Sequence, residues 1–163
     1  MESRAKLFGH PIHPMLIVIP LGAFIAAVLF DAVALWQGSL TWAQVGYWNI
    51  ALGIVGGLLA AVFGLIDWLA IPSGTRAKRI GLLHGASNVV VVALFAFVWL
   101  TRRAAPDVTP TSLLFGVELV ALALGSVAGW LGGELVDRLG VGVDDGANLN
   151  APNSLKSRSA RPA

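Results

Sequence analysis

The sequence predicts an all-α integral membrane protein, a four-helix bundle with both termini in the cytoplasm. Three observations lead there. Apolar residues make up 56% of the chain and charged ones 12%, with a mean hydropathy of +0.78, outside the range of ordinary water-soluble domains. Four stretches, 15–37, 42–71, 80–101 and 111–136, supply the roughly 20 apolar residues that a helix rising 1.5 Å per residue needs to cross about 30 Å of hydrocarbon. Basic residues gather on one side: Arg4, Lys6, Arg76, Lys78, Arg79, Arg138, Lys156, Arg158 and Arg161 flank one set of span ends, and only Arg102 and Arg103 the other. That bias of nine to two orients both termini toward the cytoplasm of a cell inner membrane.

The first stretch follows Arg4 and Lys6 as a secretory signal would, but its apolar run is too long and no small-residue cleavage site follows, so it reads as a retained span. The second exceeds the length a span needs and is expected to tilt, or to run along the interface at its Trp42, Tyr47 and Trp48 end. Within it Gly53, Gly57 and Ala61 recur every four residues, with Gly56, Ala60 and Gly64 beside them. The third span carries His84 one turn in and Asn88 one turn deeper, about 40° around the helix. In the fourth, Ala121, Gly125, Gly129 and Gly133 form a second stripe. Lipid tails are as apolar as leucine, so helices associate through close backbone approach at small residues; the second and fourth spans are expected at the centre, and the same stripes are open to homo-oligomerisation. Trp36, Trp42, Trp48 and Trp99 fall near the outer boundary and Trp68 and Trp130 near the inner one, the depths amphipathic rings prefer.

Residues 1–143 thus form one transmembrane domain. From Asp144 to Ala163 serines, asparagines and aspartates replace the apolar pattern, and a disordered polar tail is expected. Its three scattered cations make no nucleic-acid footprint. The chain has no cysteine, which excludes disulfides, thiolate metal sites and a thiol nucleophile of its own. It also lacks a serine elbow and a glycine-rich phosphate loop, so it does not read as an enzyme on its own.

Polar residues at the cytoplasmic side supply the first candidate site. In Gly9-His10-Pro11-Ile12-His13-Pro14 each proline pushes the preceding histidine toward an extended conformation. A polyproline-like path would place both imidazoles on one side, about 9 Å apart at the backbone. His84, Asp67 and Glu134 sit near the matching ends of the other spans. Together His10, His13, His84, Asp67 and Glu134 offer nitrogen and oxygen donors suited to iron, zinc, manganese or copper. Imidazoles alone suit a haem b, with Asn88 beside His84 on the cofactor side. The leading expectation is therefore a metal or haem site that takes part in membrane electron transfer with a redox partner protein. A rival uses Asp31 and Glu118, placed about 9–10 Å from the outer ends of their helices; adjacent acids would share a proton or bind a cation, as in a small proton- or cation-coupled transporter. A third reading is a scaffold or accessory subunit, whose histidines cap helices and whose carboxylates snorkel or pair.

An internal duplication is suggested by two similar intervals, 57 residues from His10 to Asp67 and 50 from His84 to Glu134. Two parallel hairpins would then hold a ligand between them.

Taken jointly, Gly9-His10-Pro11-Ile12-His13-Pro14, Asp31, Gly64-Leu65-Ile66-Asp67-Trp68-Leu69, His84-Gly85-Ala86-Ser87-Asn88 and Gly129-Trp130-Leu131-Gly132-Gly133-Glu134-Leu135-Val136 resemble the bacterial membrane family known as domain of unknown function 2231, over roughly Leu7 to Val143. The resemblance implies a membrane location and no established activity. Some relatives resemble this chain fused to a Rieske iron–sulfur domain, which points toward electron transfer with His10, His13 and His84 as ligand candidates.

Overall fold

The computed structural model describes residues 1–105 and 107–155. The expected tail is therefore seen only to Leu155, and Lys156, Arg158 and Arg161 lie outside the described residues.

The chain begins with a small antiparallel hairpin, β1 (Lys6–Leu7) and β2 (His10–Pro11), in which Lys6 faces Pro11 and Leu7 faces His10. Its two-residue turn places Phe8 at φ 51° and Gly9 at φ 85°, the paired left-handed conformation that matches strand twist in tight hairpins. Helices α1 (Ile12–Leu16) and α2 (Val18–Gln37) follow, nearly continuous, and together form the first span. The break at Ile17 has a cause in Pro20, which has no N–H for the Leu16 carbonyl four residues back and whose ring crowds it. Gly38 ends α2 at φ 64°, its N–H on the Ala34 carbonyl.

Helix α3 (Leu40–Ala70) stops where Pro72 forces Ile71 into an extended conformation. Thr75 caps α4 (Arg76–Arg103) by accepting from the Lys78 N–H, and Thr111 caps α5 (Ser112–Gly133) by accepting from the Leu114 N–H. One π-helical turn, Glu134–Arg138, extends α5.

Among the described residues four helices are long and apolar enough to cross a membrane: Ile12–Gln37, Leu40–Ala70, Arg76–Arg103 and Ser112–Arg138. Only 17% to 28% of the most apolar window of each is buried within the protein, so most of their leucines and valines face outward, where lipid rather than protein removes them from water. The expected four-helix architecture holds, with ends shifted by a few residues. The chain start meets the segment that follows the fourth span: the Met1 ammonium donates to the Gly140 carbonyl at 2.8 Å, and the Gly142 N–H donates to the Met1 carbonyl at 2.9 Å.

α2 packs along α3, and α4 along α5, around a core that includes Phe24, Ala27, Ile50, Phe95, Val98 and Ala121. These two hairpins behave as copies. The His13 and His84 rings meet edge to face, Phe24 stacks on Phe95 with centroids 4.0 Å apart, and Asp31 bonds Arg102. Each pair is 71 residues apart, and residues at equivalent positions touch each other, as a pseudo-two-fold relation between the halves requires. In this placement His13, not His10, is the counterpart of His84.

The four-residue glycine stripes need the same kind of correction. At 100° per residue a four-residue step drifts by about 40°, so Ala121 and Gly133 end on different faces of α5. The buried face runs through Leu114, Glu118, Ala121 and Ala128, with open space beside Gly129 and Gly133. On α3 the packed residues are Gly46, Gly53, Gly56 and Ala60, while Ala61 is exposed.

Candidate functional site

Polar residues collect at both ends of the bundle. At the end that carries the first residue, the expected five-membered layer separates into four local arrangements. Pro14 falls in the first turn of α1, where a missing N–H costs nothing, so His13 is helical rather than extended, and the polyproline path is not formed. His10 stays behind on the hairpin, exposed, with its Nε2 3.2 Å from the Ser154 hydroxyl. The two histidines therefore do not converge.

Asp67 acts as an anchor for the chain start. Its carboxylate accepts from the Ser3 hydroxyl at 2.8 Å to each oxygen and from the Arg4 N–H at 2.8 Å. Glu134 pairs with Arg76 at 2.6 Å. Among the described residues no three histidine, aspartate or glutamate side chains are grouped as a metal centre needs. Residues 144–155 form turns that lie against this end, with Asp144 3.7 Å from the Lys6 ammonium.

His13 and His84 do meet, with ring centroids 6.2 Å apart and planes at 85°. Each ring leans on the second span of its own hairpin. Nδ1 of His13 lies 2.8 Å from the Ala60 carbonyl, and Nδ1 of His84 lies 2.8 Å from the Ala128 carbonyl. A carbonyl only accepts, so Nδ1 is the donor in both rings and Nε2 is not engaged by that bond. Asn88 sits where the helical spacing placed it: its amide donates to the His84 carbonyl at 2.9 Å and stands 3.3 Å from Nε2 of the same ring. Gly64 and Gly132 make the beds, since a Cβ at either would fall within 3.0 Å of the opposing imidazole.

The opposite end holds a sealed ionic cluster. Arg102 is wholly buried with both acids, the three side chains showing 0% exposure. Its guanidinium grips Asp31 through Nη1 at 2.5 Å and Nη2 at 3.1 Å, and donates from Nη2 to the Ala43 carbonyl at 2.7 Å and from Nε to the Val108 carbonyl at 2.8 Å. Four of its five N–H groups are used, and the remaining one, on Nη1, lies on the side of Glu118, whose Oε1 is 3.7 Å away. Among the described residues neither oxygen of Glu118 has a hydrogen-bond partner. The Tyr47 ring stands 5.8 Å from the guanidinium and stacks on Trp99 at 5.4 Å. Gly46 makes room: a methyl group there would collide with the Asp31 carboxylate.

The sequence reading placed Asp31 and Glu118 at one depth, and the structure brings both to one guanidinium. It missed that guanidinium, because Arg102 lies at the last turn of α4 and was read as a flanking charge. The segment after α4 folds back, and Val108, at φ 50°, presents its carbonyl to Arg102 and seals it in.

A model of the family described as Predicted membrane protein (DUF2231) matches residues 9–145, most of the chain, and the chain belongs to that family. No curated protein and no solved structure matches it.

Proposed function

We propose that this DUF2231 protein couples uptake and release of a proton at Glu118 to a change in the pairing of Arg102, as a small proton- or cation-coupled membrane carrier. The observation that carries this reading is a fully buried carboxylate, Glu118, whose oxygens have no hydrogen-bond partner among the described residues and whose Oε1 lies 3.7 Å from a guanidinium already bound to Asp31. Two carboxylates and one guanidinium at membrane depth sum to one uncompensated negative charge, which the hydrocarbon penalises by a few kcal/mol even on gentle scales. One proton on the cluster removes it. Asp31 is held by two bonds from Arg102, so the proton exchanges at Glu118.

Loss of that proton creates a second anion beside Arg102. Closing the gap turns the unused Nη1–H into a bond to Glu118 and weakens the grip on Asp31. The same guanidinium holds the Ala43 and Val108 carbonyls, so a shift of Arg102 moves the loop after α4. Proton occupancy and the outer loop are then linked through one side chain.

Proteoliposomes with an internal pH-sensitive dye test this. Wild type is expected to relax an imposed pH gradient faster than empty vesicles, and Glu118→Gln, folded and inserted, to fall to the empty-vesicle rate. Equal rates for wild type and Glu118→Gln would overturn the reading.

A second reading, electron transfer through a haem b or a transition-metal ion with a redox partner protein, draws on the orientation of the His13 and His84 rings. Ligating histidines characteristically donate Nδ1–H to a backbone carbonyl and present Nε2. A Soret band in the purified protein that is lost in His84→Ala would support it, and a colourless protein would overturn its haem form.

A further inference from the structure

We infer that residues 1–6 act as a releasable clasp, and that the bundle opens at the seam this clasp holds, between the first and fourth spans at the end that carries the first residue. The inference stands on contacts remote from Glu118 and holds whether or not that carboxyl exchanges a proton.

The pseudo-two-fold relation exchanges α2 with α4 and α3 with α5, which makes the seam between α3 and α4 the counterpart of the seam between α5 and α2. The two seams are not held alike. The chain itself joins α3 to α4 through residues 71–75, and Trp68 and Lys78 double the joint: Nε1–H of Trp68 donates to the Lys78 carbonyl at 3.1 Å, and the Lys78 ammonium donates to the Trp68 carbonyl at 2.7 Å. α2 and α5 lie far apart in the chain and pack less extensively than α3 and α4.

At that second seam residues 1–6 take the place of a loop. Toward the first hairpin they are anchored firmly. Ser3 is buried and its hydroxyl reaches both Asp67 oxygens at 2.8 Å, the Arg4 N–H donates to the same carboxylate at 2.8 Å, and the Ile12 N–H at the start of α1 donates to the Ala5 carbonyl at 2.9 Å. Toward the fourth span the hold is lighter. The Gly142 N–H donates to the Met1 carbonyl at 2.9 Å, the Asp145 N–H reaches the Glu2 carboxylate at 3.3 Å, and the Lys6 ammonium stands 3.7 Å from Asp144, whose side chain is 47% exposed. Hydrogen bonds and ion pairs that water can replace contribute little net. A covalent loop keeps its ends together whatever the solvent does, whereas a joint of exposed bonds opens and recloses. The clasp therefore stays docked on Asp67 and releases residues 140–145, so that α5 parts from α2 while α3 and α4 remain joined. Because Arg102 and Asp31 tie the halves at the opposite end, the motion is a hinge about that ion pair.

The chain has no cysteine, so pairs of spin labels can be introduced without removing native thiols. Met15→Cys with Val136→Cys spans the clasped seam, Leu69→Cys with Leu82→Cys spans the looped one, and all four native side chains are exposed. Pulsed electron–electron distance measurements on the reconstituted full chain are compared with Asp67→Asn and with a deletion of residues 2–5, which leaves the hairpin and the four spans in place. Either change is expected to add a longer-distance population to the first pair and to leave the second as it was. Distances unchanged at both seams in the variants, or equal broadening at the two, would overturn the clasp. Hydrogen exchange on the wild type tests it without any substitution. The Gly142 amide is expected to be less protected than the Arg4 amide, and a Gly142 amide as slow to exchange as those in the helix interiors would overturn release at that side.

Discussion

At the end of the bundle that carries the first residue, equivalent positions of the two halves hold the same side chain, His13 and His84, while at the opposite end they hold opposite charges, Asp31 and Arg102. Each histidine bonds a carbonyl of its own hairpin, Ala60 or Ala128, and meets its twin only by ring contact. The ion pair instead joins one hairpin to the other, at 0% exposure. The 71-residue offset supplies matched positions. What they do depends on whether the residues stayed alike, which strengthens each half, or diverged in charge, which ties the halves together.

The largest effect is expected from breaking the tie. Arg102→Met leaves Asp31 and Glu118 buried without a cation, a loss of about 3–5 kcal/mol, and should appear as a steep drop in thermal stability of the detergent-solubilised protein. Adding Asp31→Asn to it should recover part of that loss; equal stability of single and double variants would contradict the assigned pairing. Gly46→Ala comes next, at about 1–3 kcal/mol, because the new methyl group meets the Asp31 carboxylate in a packed place.

At the histidine end the losses should be smaller and alike. His13→Ala and His84→Ala each remove one hydrogen bond to a helix carbonyl that keeps its own helical partner, about 0.5–1.5 kcal/mol, and unequal effects would show that the two halves are not energetically equivalent. Glu134→Gln removes a pair whose Arg76 side is largely exposed, and should cost less than about 1 kcal/mol. Smallest of all is the contribution of Asp107, in the loop after α4. The Thr109 hydroxyl, and secondarily its N–H, hold the Asp107 carboxyl below its usual value. A depressed acid stabilises the fold above its unfolded value and loses that contribution as pH falls through the folded one. Being fully exposed, it should leave no resolvable difference between wild type and Asp107→Asn in unfolding curves recorded across the acid range.

The spans were legible because length and hydropathy alone determine whether a helix can cross hydrocarbon, and Gly38, Pro72 and Thr111 mark boundaries by local chemistry. The separation of His10 from His13 was not, because a proline disfavours helix in the residue before it, yet in a first turn the missing N–H is harmless and the helix starts anyway. Arg102 escaped notice because its position at a helix end fits a flanking charge as well as a buried one. A signal did exist in the 71-residue offset that aligns His13 with His84, Phe24 with Phe95 and Asp31 with Arg102. Glu118 lies on the α5 face that sequence geometry assigned to the interior, but that no described residue hydrogen-bonds its carboxylate is a property of the neighbours and appears only in three dimensions.

Proton exchange at Glu118 is tested most directly by infrared difference spectroscopy of the reconstituted protein across a pH step. A carboxylic-acid carbonyl band is expected to appear and vanish with pH, to be absent in Glu118→Gln and to remain in Glu134→Gln. A band that survives in Glu118→Gln, or no protonated carboxyl at any pH at which the protein stays folded, would contradict it.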